Sequence, residues 1–386
     1  MRAFDGIRVL DLTHVFAGPF CTYQMAVMGA EVIKIEPPNS PDMMRDEGYS
    51  ETLNNLGLSN LFVCQNSEKK SLSLDLKAKD DRDFFLKLVR TADVLVQNYS
   101  GRSMEKLGFS YGKIKKINPN IIYCSMTGFG RTGPKAEHPA YDSIIQAYSG
   151  LMELNGVKAT GPIRVGPAIV DYGTGIHAAF AISSALYRRQ ITGEGLEIDL
   201  SMLDAAIMLM TSTVSDSLSS GISSPSYGNN HPDHPGYGAF NASDRMIVIG
   251  AFTKKQLCNL LLGLNLKKEV KLVSSLTKKE MKASYSELRN SIENVIKTKT
   301  ADFWEKKLNA CHVPAAKVRN LIEALNSDQV KSRRVLQNSL LEKDCGHPRL
   351  LPTAAFSYSK GSPKLTKSAP KIGEDNYKVR KSLGDS

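Results

Sequence analysis

The amino-acid sequence predicts an α/β protein with a large parallel-sheet domain and a second, smaller α/β domain. Three observations carry that expectation. The chain has 386 residues, beyond the roughly 250–300 at which a single hydrophobic core stops growing. Its opening segment reads strand, helix, strand within about thirty residues, a βαβ unit whose two strands run parallel. After Asp199 the alternation of strands and helices gives way to a Ser/Pro/Gly-rich stretch and then to lysine-bearing helices.

The elements follow in order. Ile7 to Leu12 alternates apolar and polar residues, meets Ala17-Gly18-Pro19, and is followed by a helix from Phe20 to Met28 that ends at Gly29. Glu31 to Glu36 is a second strand, stopped by Pro37-Pro38. The pattern continues through a strand from Lys70 to Leu76, a helix from Asp80 to Ala92, and strands at Asp93 to Gln97 and Ile121 to Met126. Leu203 to Leu218 is a helix candidate, and Ser219 to Pro235 reads as a linker or mobile loop. Arg245 to Gly250 is strand-like, and helices fill Lys254 to Leu308. From Val330 onward Pro348, Pro352, Pro363 and Pro370 mark an extended return segment.

Composition narrows the function. A formal charge of +11 favours anionic ligands, but the lysines are dispersed, with no basic arm or aromatic platform, so nucleic acid is not an expected partner. A small polyanion such as a phosphorylated cofactor fits a dispersed positive field. No apolar run approaches the roughly 18 residues that cross a bilayer, and Met1 to Gly6 leads directly into the first strand without a signal peptide. A cytoplasmic protein that avoids the membrane is expected. Cys21, Cys64, Cys124, Cys258, Cys311 and Cys345 form no C-x-x-C pair, which argues against a disulfide framework or a thiolate metal site.

Four local patterns could carry chemistry. Gly128-Phe129-Gly130-Arg131-Thr132-Gly133 matches G-x-G-x-x-G after a strand, yet Pro134 follows and no helix opens at the third glycine, so a dinucleotide site is not expected. His231-Pro232-Asp233-His234 has ligand-type residues without a third ligand, and reads as a solvated loop. Arg45, in a loop after the second strand, could clamp an acceptor carboxylate or simply be exposed. Asp171 lies in Val170-Asp171-Tyr172-Gly173-Thr174-Gly175, after a short apolar segment and before the helix-compatible Ile176 to Arg189. Strand, acid, glycine turn and helix would put a carboxylate at a helix N-terminus, where the dipole favours its ionised form. From these residues alone it is either a helix cap or a nucleophile.

The motifs taken together resemble the family III CoA-transferases, the group of formyl-CoA and carnitine CoA-transferases. They are Leu10-Asp11-Leu12-Thr13-His14-Val15-Phe16-Ala17-Gly18-Pro19, Gly29 to Glu36, Asn66 with Lys69-Lys70-Ser71 and Asp75, Asn98-Tyr99, Leu107-Gly108-Phe109, Gly128-Phe129-Gly130, Tyr141-Asp142, Thr192-Gly193 with Gly195, and Gly228-Asn229 with His231-Pro232. They span nearly the whole chain in family order.

The resemblance implies a Rossmann-like large domain, a ring-shaped chain and an interlocked homodimer. The domains implied are 1–200 for the CoA-binding part, a linker at 201–224, the small domain at 225–325, and a return at 326–386 that completes the large domain. It implies that Asp171 is the nucleophile, attacking an acyl-CoA thioester to give mixed anhydrides and an aspartyl-CoA thioester. Coenzyme A would then be a substrate with no permanently bound cofactor and no metal, and the partner a small carboxylic acid, with succinyl-CoA a plausible donor by the family's habits. CoA contacts are implied at Val15, Phe16, Ala17, Leu72, Asp75, Asn98, Tyr99, Arg102 and Lys106, and substrate contacts at Arg45, Tyr141 and Asp142. Lys69 and Lys70 join Arg102 and Lys106 as phosphate candidates or solvated surface. Phe16 stands where formyl-CoA transferases are expected to carry glutamine, which disfavours oxalate–formate exchange. Of the glycine-rich loop expected after the small-domain strand, only Gly250 is left in Gly250-Ala251-Phe252-Thr253-Lys254-Lys255. The sister α-methylacyl-CoA racemases would carry a histidine near Tyr141, and a phenol is a poor base at neutral pH. A racemase or a catalytically silent CoA-binding protein are the alternatives.

Overall fold

The computed structural model describes residues 1–99, 102–340 and 350–384, so Cys345 and Pro348 lie outside the described residues. The chain divides into two compact units, one of residues 1–152, 164–224 and 330–386, the other of residues 153–163 and 225–329. Residues 202–220, within the stretch read as a linker, are helical (Met202–Leu209 and Thr211–Ser220) and belong to the first unit.

The first unit holds a six-stranded parallel sheet. Across the sheet the strands run Lys70–Ser73, Glu31–Glu36, Arg8–Leu12, Val94–Gln97, Ile122–Thr127 and Glu197–Ser201. This order grows outward in both directions from the first strand, as in doubly wound dinucleotide folds. Strand alternation sorts side chains onto two cores. Leu10 and Leu12 pack with Phe84, Phe85 and Leu88 of the helix Lys79–Thr91. Each of these side chains contributes roughly 1.5–3 kcal/mol by burial. Val9 and Val32 face the other way, onto Cys21 and Met25 of the first helix, Ala17–Val27, and Ala178 and Ile182 of the long helix, Ile169–Thr192. Asp11 and Lys34 have the same parity as Val9 and Val32, which puts two charges into this second layer.

The strand Lys70–Ser73 is an edge, and an uncovered edge invites pairing with another chain. Here Ser71 N–H donates to Asp375 Oδ2 (3.0 Å) and Ser73 N–H to Asn376 Oδ1 (2.8 Å), so the return segment caps it side chain by side chain. The strand Glu197–Ser201 has no apolar run to announce it, since Glu197 and Asp199 interrupt its alternation on the opposite edge.

The second unit contains a three-stranded antiparallel sheet, ordered Ala315–Lys317, Met246–Gly250 and Tyr237–Asn241, under five helices between Lys254 and Ala310. Phe240, Ile247, Ile249, Leu260, Ile292 and Trp304 form its core. Its His231 and His234 rings pack at 4.4 Å and close on Tyr237 and Phe252, and Asp233 pairs with Lys282. The loop read as solvated is partly exposed, with Asp233 at the surface, and its two histidine rings join an aromatic cluster.

Candidate active site

The first and fourth strands lie side by side while their onward connections diverge, which opens a crevice at their C-terminal ends. The loop His14–Phe16 leaves the first strand there, and Asn98-Tyr99 leaves the fourth. A cavity of about 370 Å³ is lined by His14, Val15, Phe16, Ala17, Asn98, Tyr99, Thr127, Gly128, His138, Tyr141, Asp171 and Met202, among others. Of the residues singled out in the sequence, Val15, Phe16, Ala17, Asn98, Tyr99, Tyr141 and Asp171 are thus brought together.

The first loop is held from three sides. His14 N–H donates to Asn98 Oδ1 and Asn98 Nδ2 donates back to His14 O, both at 2.9 Å. Val15 N–H donates to Asp42 Oδ1 (3.1 Å), and Gln65 Nε2 donates to Val15 O (2.7 Å). Val15 itself sits at φ +70°, a left-handed conformation that a β-branched residue adopts only at about 1–3 kcal/mol of strain. The chain then enters the first helix at Phe16, where no side chain caps the terminus. The N–H groups of Phe16, Ala17 and Gly18 have no partner among the described residues. Gly18 is required because a Cβ there would lie 2.3 Å from Thr13 Cβ.

Asp171 is in the first turn of the long helix, which begins at Ile169 rather than after the glycines. Residues 163–168, which lead into it, form no strand, and Gly173 and Gly175 are helical. They serve close packing instead of a turn: a Cβ on Gly175 would lie 2.7 Å from Ala17 O, and one on Gly173 would lie 2.9 Å from Leu209 Cδ1. The long helix thereby lies against the first, and Tyr172 packs edge-on to Phe20 at 4.9 Å.

The cap of the long helix is Asp142. Its Oδ2 accepts from Val170 N–H (2.8 Å) and Asp171 N–H (3.1 Å), and its Oδ1 from Gln146 Nε2 (2.5 Å). The carboxylate of Asp171 accepts no hydrogen bond among the described residues. The expectation that this carboxylate is favoured in its ionised form is overturned: burial first, then the charge of Asp142, push its pKa up to about 7. Burial, reinforced by the charge of Lys34, moves His14 the other way, below the usual imidazole value.

Other implied contacts lie elsewhere. The Arg45 guanidinium is buried, bidentate on Glu36 (2.8 and 2.6 Å), bonded to Gly57 O and Pro370 O, and stacked 3.9 Å from the Phe62 ring. A guanidinium so engaged is a structural ion pair and does not face the cavity. Asp142 is occupied as the helix cap. Leu72 is wholly inside the core, and Asp75 closes a turn on Lys77 N–H. Lys69 is fully buried, donating to Asp11 Oδ2 (2.9 Å), Pro19 O and Asn66 Oδ1, and Lys70 pairs with Glu31. Arg102 lines an adjoining crevice of about 610 Å³ with Glu105, Glu137 and Asp199, and Lys106 is exposed at the end of the short helix Ser103–Lys106.

Sequence reasoning missed the buried polar layer beneath the site. Asp11 accepts from Thr13 N–H, Thr13 Oγ1, Thr22 Oγ1 and Lys69 Nζ, while Lys34 Nζ donates to Thr13 O and to Asp42 Oδ2. The available signal was charge at positions 11 and 34 of otherwise apolar strands, since such charges are rarely buried unless paired. Among the described residues no group of His, Cys, Asp and Glu could hold a metal ion, and no helix is long and apolar enough to cross a membrane.

Comparison with known proteins agrees with this geometry. The family model described as CoA-transferase family III matches residues 4–376. The chain is 35% identical to the acetyl-CoA:oxalate CoA-transferase of Acetobacter aceti, over 98% of this chain and 95% of that one. It is 33% identical to the succinate–glutarate CoA-transferase of Agrobacterium fabrum, over 94% and 92%. The crystal structure of a CAIB/BAIF family protein from Brucella suis superposes with a TM-score of 0.86 at 29% identity, covering 99% of both chains. With a family-model match across nearly its full length, a relative 35% identical along almost all of both chains and a solved structure that superposes over 99% of both, the chain belongs to CoA-transferase family III and is a CoA-transferase.

Proposed function

We propose that Asp171 carries CoA from an acyl-CoA thioester to a small dicarboxylic acid. An oxygen of the Asp171 carboxylate attacks the thioester carbonyl carbon, the C–S bond breaks, and CoA leaves as its thiolate, giving a mixed anhydride. The thiolate attacks the aspartyl carbonyl carbon and expels the donor acid, leaving an aspartyl-CoA thioester. The acceptor carboxylate attacks that thioester, and the released thiolate then attacks the acceptor's acyl carbon, restoring Asp171. Each addition places negative charge on a carbonyl oxygen, which nearby N–H groups would stabilise. The observation that carries this reading is a buried carboxylate with no hydrogen-bond donor of its own, in a cavity that also presents the open first turn of the first helix. A dicarboxylate acceptor is favoured by the oxalate, mesaconate and glutarate in the names of the relatives. Of the cations considered for the CoA phosphates, Arg102 and Lys106 keep that role because they are exposed, whereas Lys69 is buried on Asp11 and Lys70 is half-buried on Glu31; Arg102 would give up its exposed contacts with Glu105 and Glu137 for a phosphate.

Incubation with succinyl-CoA alone, followed by mass spectrometry, should find CoA attached to the peptide that contains Asp171. Addition of glutarate or oxalate should discharge it as a new thioester. His14 and His138 line the same cavity. Deuterium entering the α-carbon in heavy water, with no thioester exchange, would reassign the site to epimerisation.

The nucleophile must be ionised, so kcat/KM for the acyl-CoA should fall as pH drops through about 7. Asp142→Asn keeps an acceptor for the helix cap and removes the neighbouring charge, and should move that fall to lower pH. An unchanged profile would show that Asp142 does not set the nucleophile's protonation.

A homodimer is part of this proposal. Ile169, Ile176, Phe180, Tyr187 and Ile191 recur at helical spacing along the long helix and are exposed in the single chain, an apolar stripe of the kind that subunit interfaces cover. Sedimentation should show two chains per particle, and Phe180→Glu should yield monomers; a wild-type monomer would remove this part of the reading.

A further inference from the structure

We propose that Asp42 is a positioning residue for CoA transfer: it holds Val15 in its left-handed conformation and thereby sets the open amides of Phe16 and Ala17, which line the Asp171 cavity. The inference rests on the reading of Asp171 as the nucleophile.

Val15 is the residue at which the chain turns from the loop into the first helix, and its φ of +70° is one that valine avoids. A residue in that region persists only when its surroundings over-determine it. Three contacts do so: Asn98 grips the preceding residue, Gln65 takes the Val15 carbonyl, and Asp42 takes the Val15 N–H. Asp42 is the most extensively bonded of the three. It is buried, its Oδ1 accepts from both Val15 and Met44 N–H (each 3.1 Å), its Oδ2 accepts from Lys34 Nζ (3.0 Å), and its own N–H donates to Glu36 Oε1 (3.2 Å). Lys34 reaches back to Thr13 O (2.7 Å) at the start of the same loop. The chain of contacts therefore closes on itself: strand, lysine, aspartate, strained valine, open amides. Donors that stabilise a forming oxyanion act through fixed placement, so an error of orientation costs rate without costing ground-state affinity.

Asp42→Asn tests this with little change of shape. The carboxamide has one oxygen where the carboxylate has two, so its NH₂ must face either Lys34 Nζ or the paired amides of Val15 and Met44. Transfer from succinyl-CoA to glutarate, or from acetyl-CoA to oxalate, is measured in four proteins: wild type, Asp42→Asn, Val15→Gly and the double variant. Glycine takes φ +70° without strain. The expected result is a fall in kcat of about tenfold or more for Asp42→Asn, with KM for the acyl-CoA within about twofold. In the Val15→Gly background the same substitution should cost less than about threefold, because nothing remains to be held. Melting temperatures of the two Asp42→Asn proteins should match, so that the rescue is one of rate. An equal loss in both backgrounds, or a loss confined to KM, would overturn the inference while leaving Asp171 as the nucleophile. Full activity in Asp171→Asn would overturn the underlying reading instead.

Discussion

Asp171→Ala should abolish CoA transfer, lowering kcat by at least about 10⁴-fold, the scale seen when a covalent nucleophile is removed. The loss should extend to the CoA adduct in the absence of acceptor, since both half-reactions pass through the same oxygen. Asp171→Asn should be equally inactive, and it carries a second expectation about stability. The folded-state pKa of Asp171, about 7, lies above the ordinary value of 3.8. A group raised in this way contributes stability that is fully present below pH 3.8 and is lost as pH rises through 7. Above pH 7 the wild-type protein therefore keeps an unsupported buried charge, at a cost on the order of 4 kcal/mol. Asparagine carries no such charge. Thermal melts should place Asp171→Asn above wild type at pH 8 and level with it near pH 4. Equal melting at both pH values would mean that the carboxylate is hydrated and that its nucleophilicity needs another source.

Asp11→Ala should destabilise the first unit by about 3–5 kcal/mol, because it strands Lys69 without its counter-charge in a fully buried site. The donors on Thr13 and Thr22 lose their acceptor as well. Against a typical total of about 5–15 kcal/mol the loss is large enough to read from denaturant midpoints. Lys69→Met in the same chain should recover part of it by removing the stranded charge. Burial alone would raise the Asp11 pKa, but Lys69 and Lys34 and the bond from Thr13 outweigh it and hold the carboxyl well below the usual range. A lowered pKa contributes stability above the ordinary carboxylate value, near 4, and that stability is lost as pH falls toward the folded value. The wild type should therefore lose stability in acid more steeply than Asp11→Ala. Parallel acid curves would show that the pair contributes nothing.

The sheet was legible wherever alternation was strong. Ile7 to Leu12 and Glu31 to Glu36 announce themselves by period and by the turn residues around them, and both are strands with boundaries within a residue of those expected. The aspartate was legible because its neighbours form a motif. Its surroundings were not, because the signals are tertiary. Gly173 and Gly175 look locally like a turn, whereas Gly175 is there because a helix more than 150 positions upstream leaves no room for a Cβ, and Gly173 because Leu209, 36 positions downstream, does the same. Asp142 caps a helix that starts 27 residues later, a pairing that no local rule detects. Arg45 reads as a free loop arginine until its partner Glu36 and the Phe62 ring are placed around it. Val15 is the clearest case, since valine is the residue that sequence reasoning would least assign to a left-handed turn.

The covering of the edge strand Lys70–Ser73 bears on how the chain reaches its native state. Ser71 and Ser73 wait for partners 304 and 303 positions downstream. Closing so long a loop is entropically slow compared with pairing neighbouring strands. During synthesis the five strands preceding Asp142 exist long before Asp375 and Asn376 emerge, and in that interval the nascent sheet presents a row of open N–H groups. The last turn of the fold to be completed is then also the one that ends the protein's exposure to self-association, which makes this stretch a natural checkpoint between a soluble nascent chain and an aggregating one.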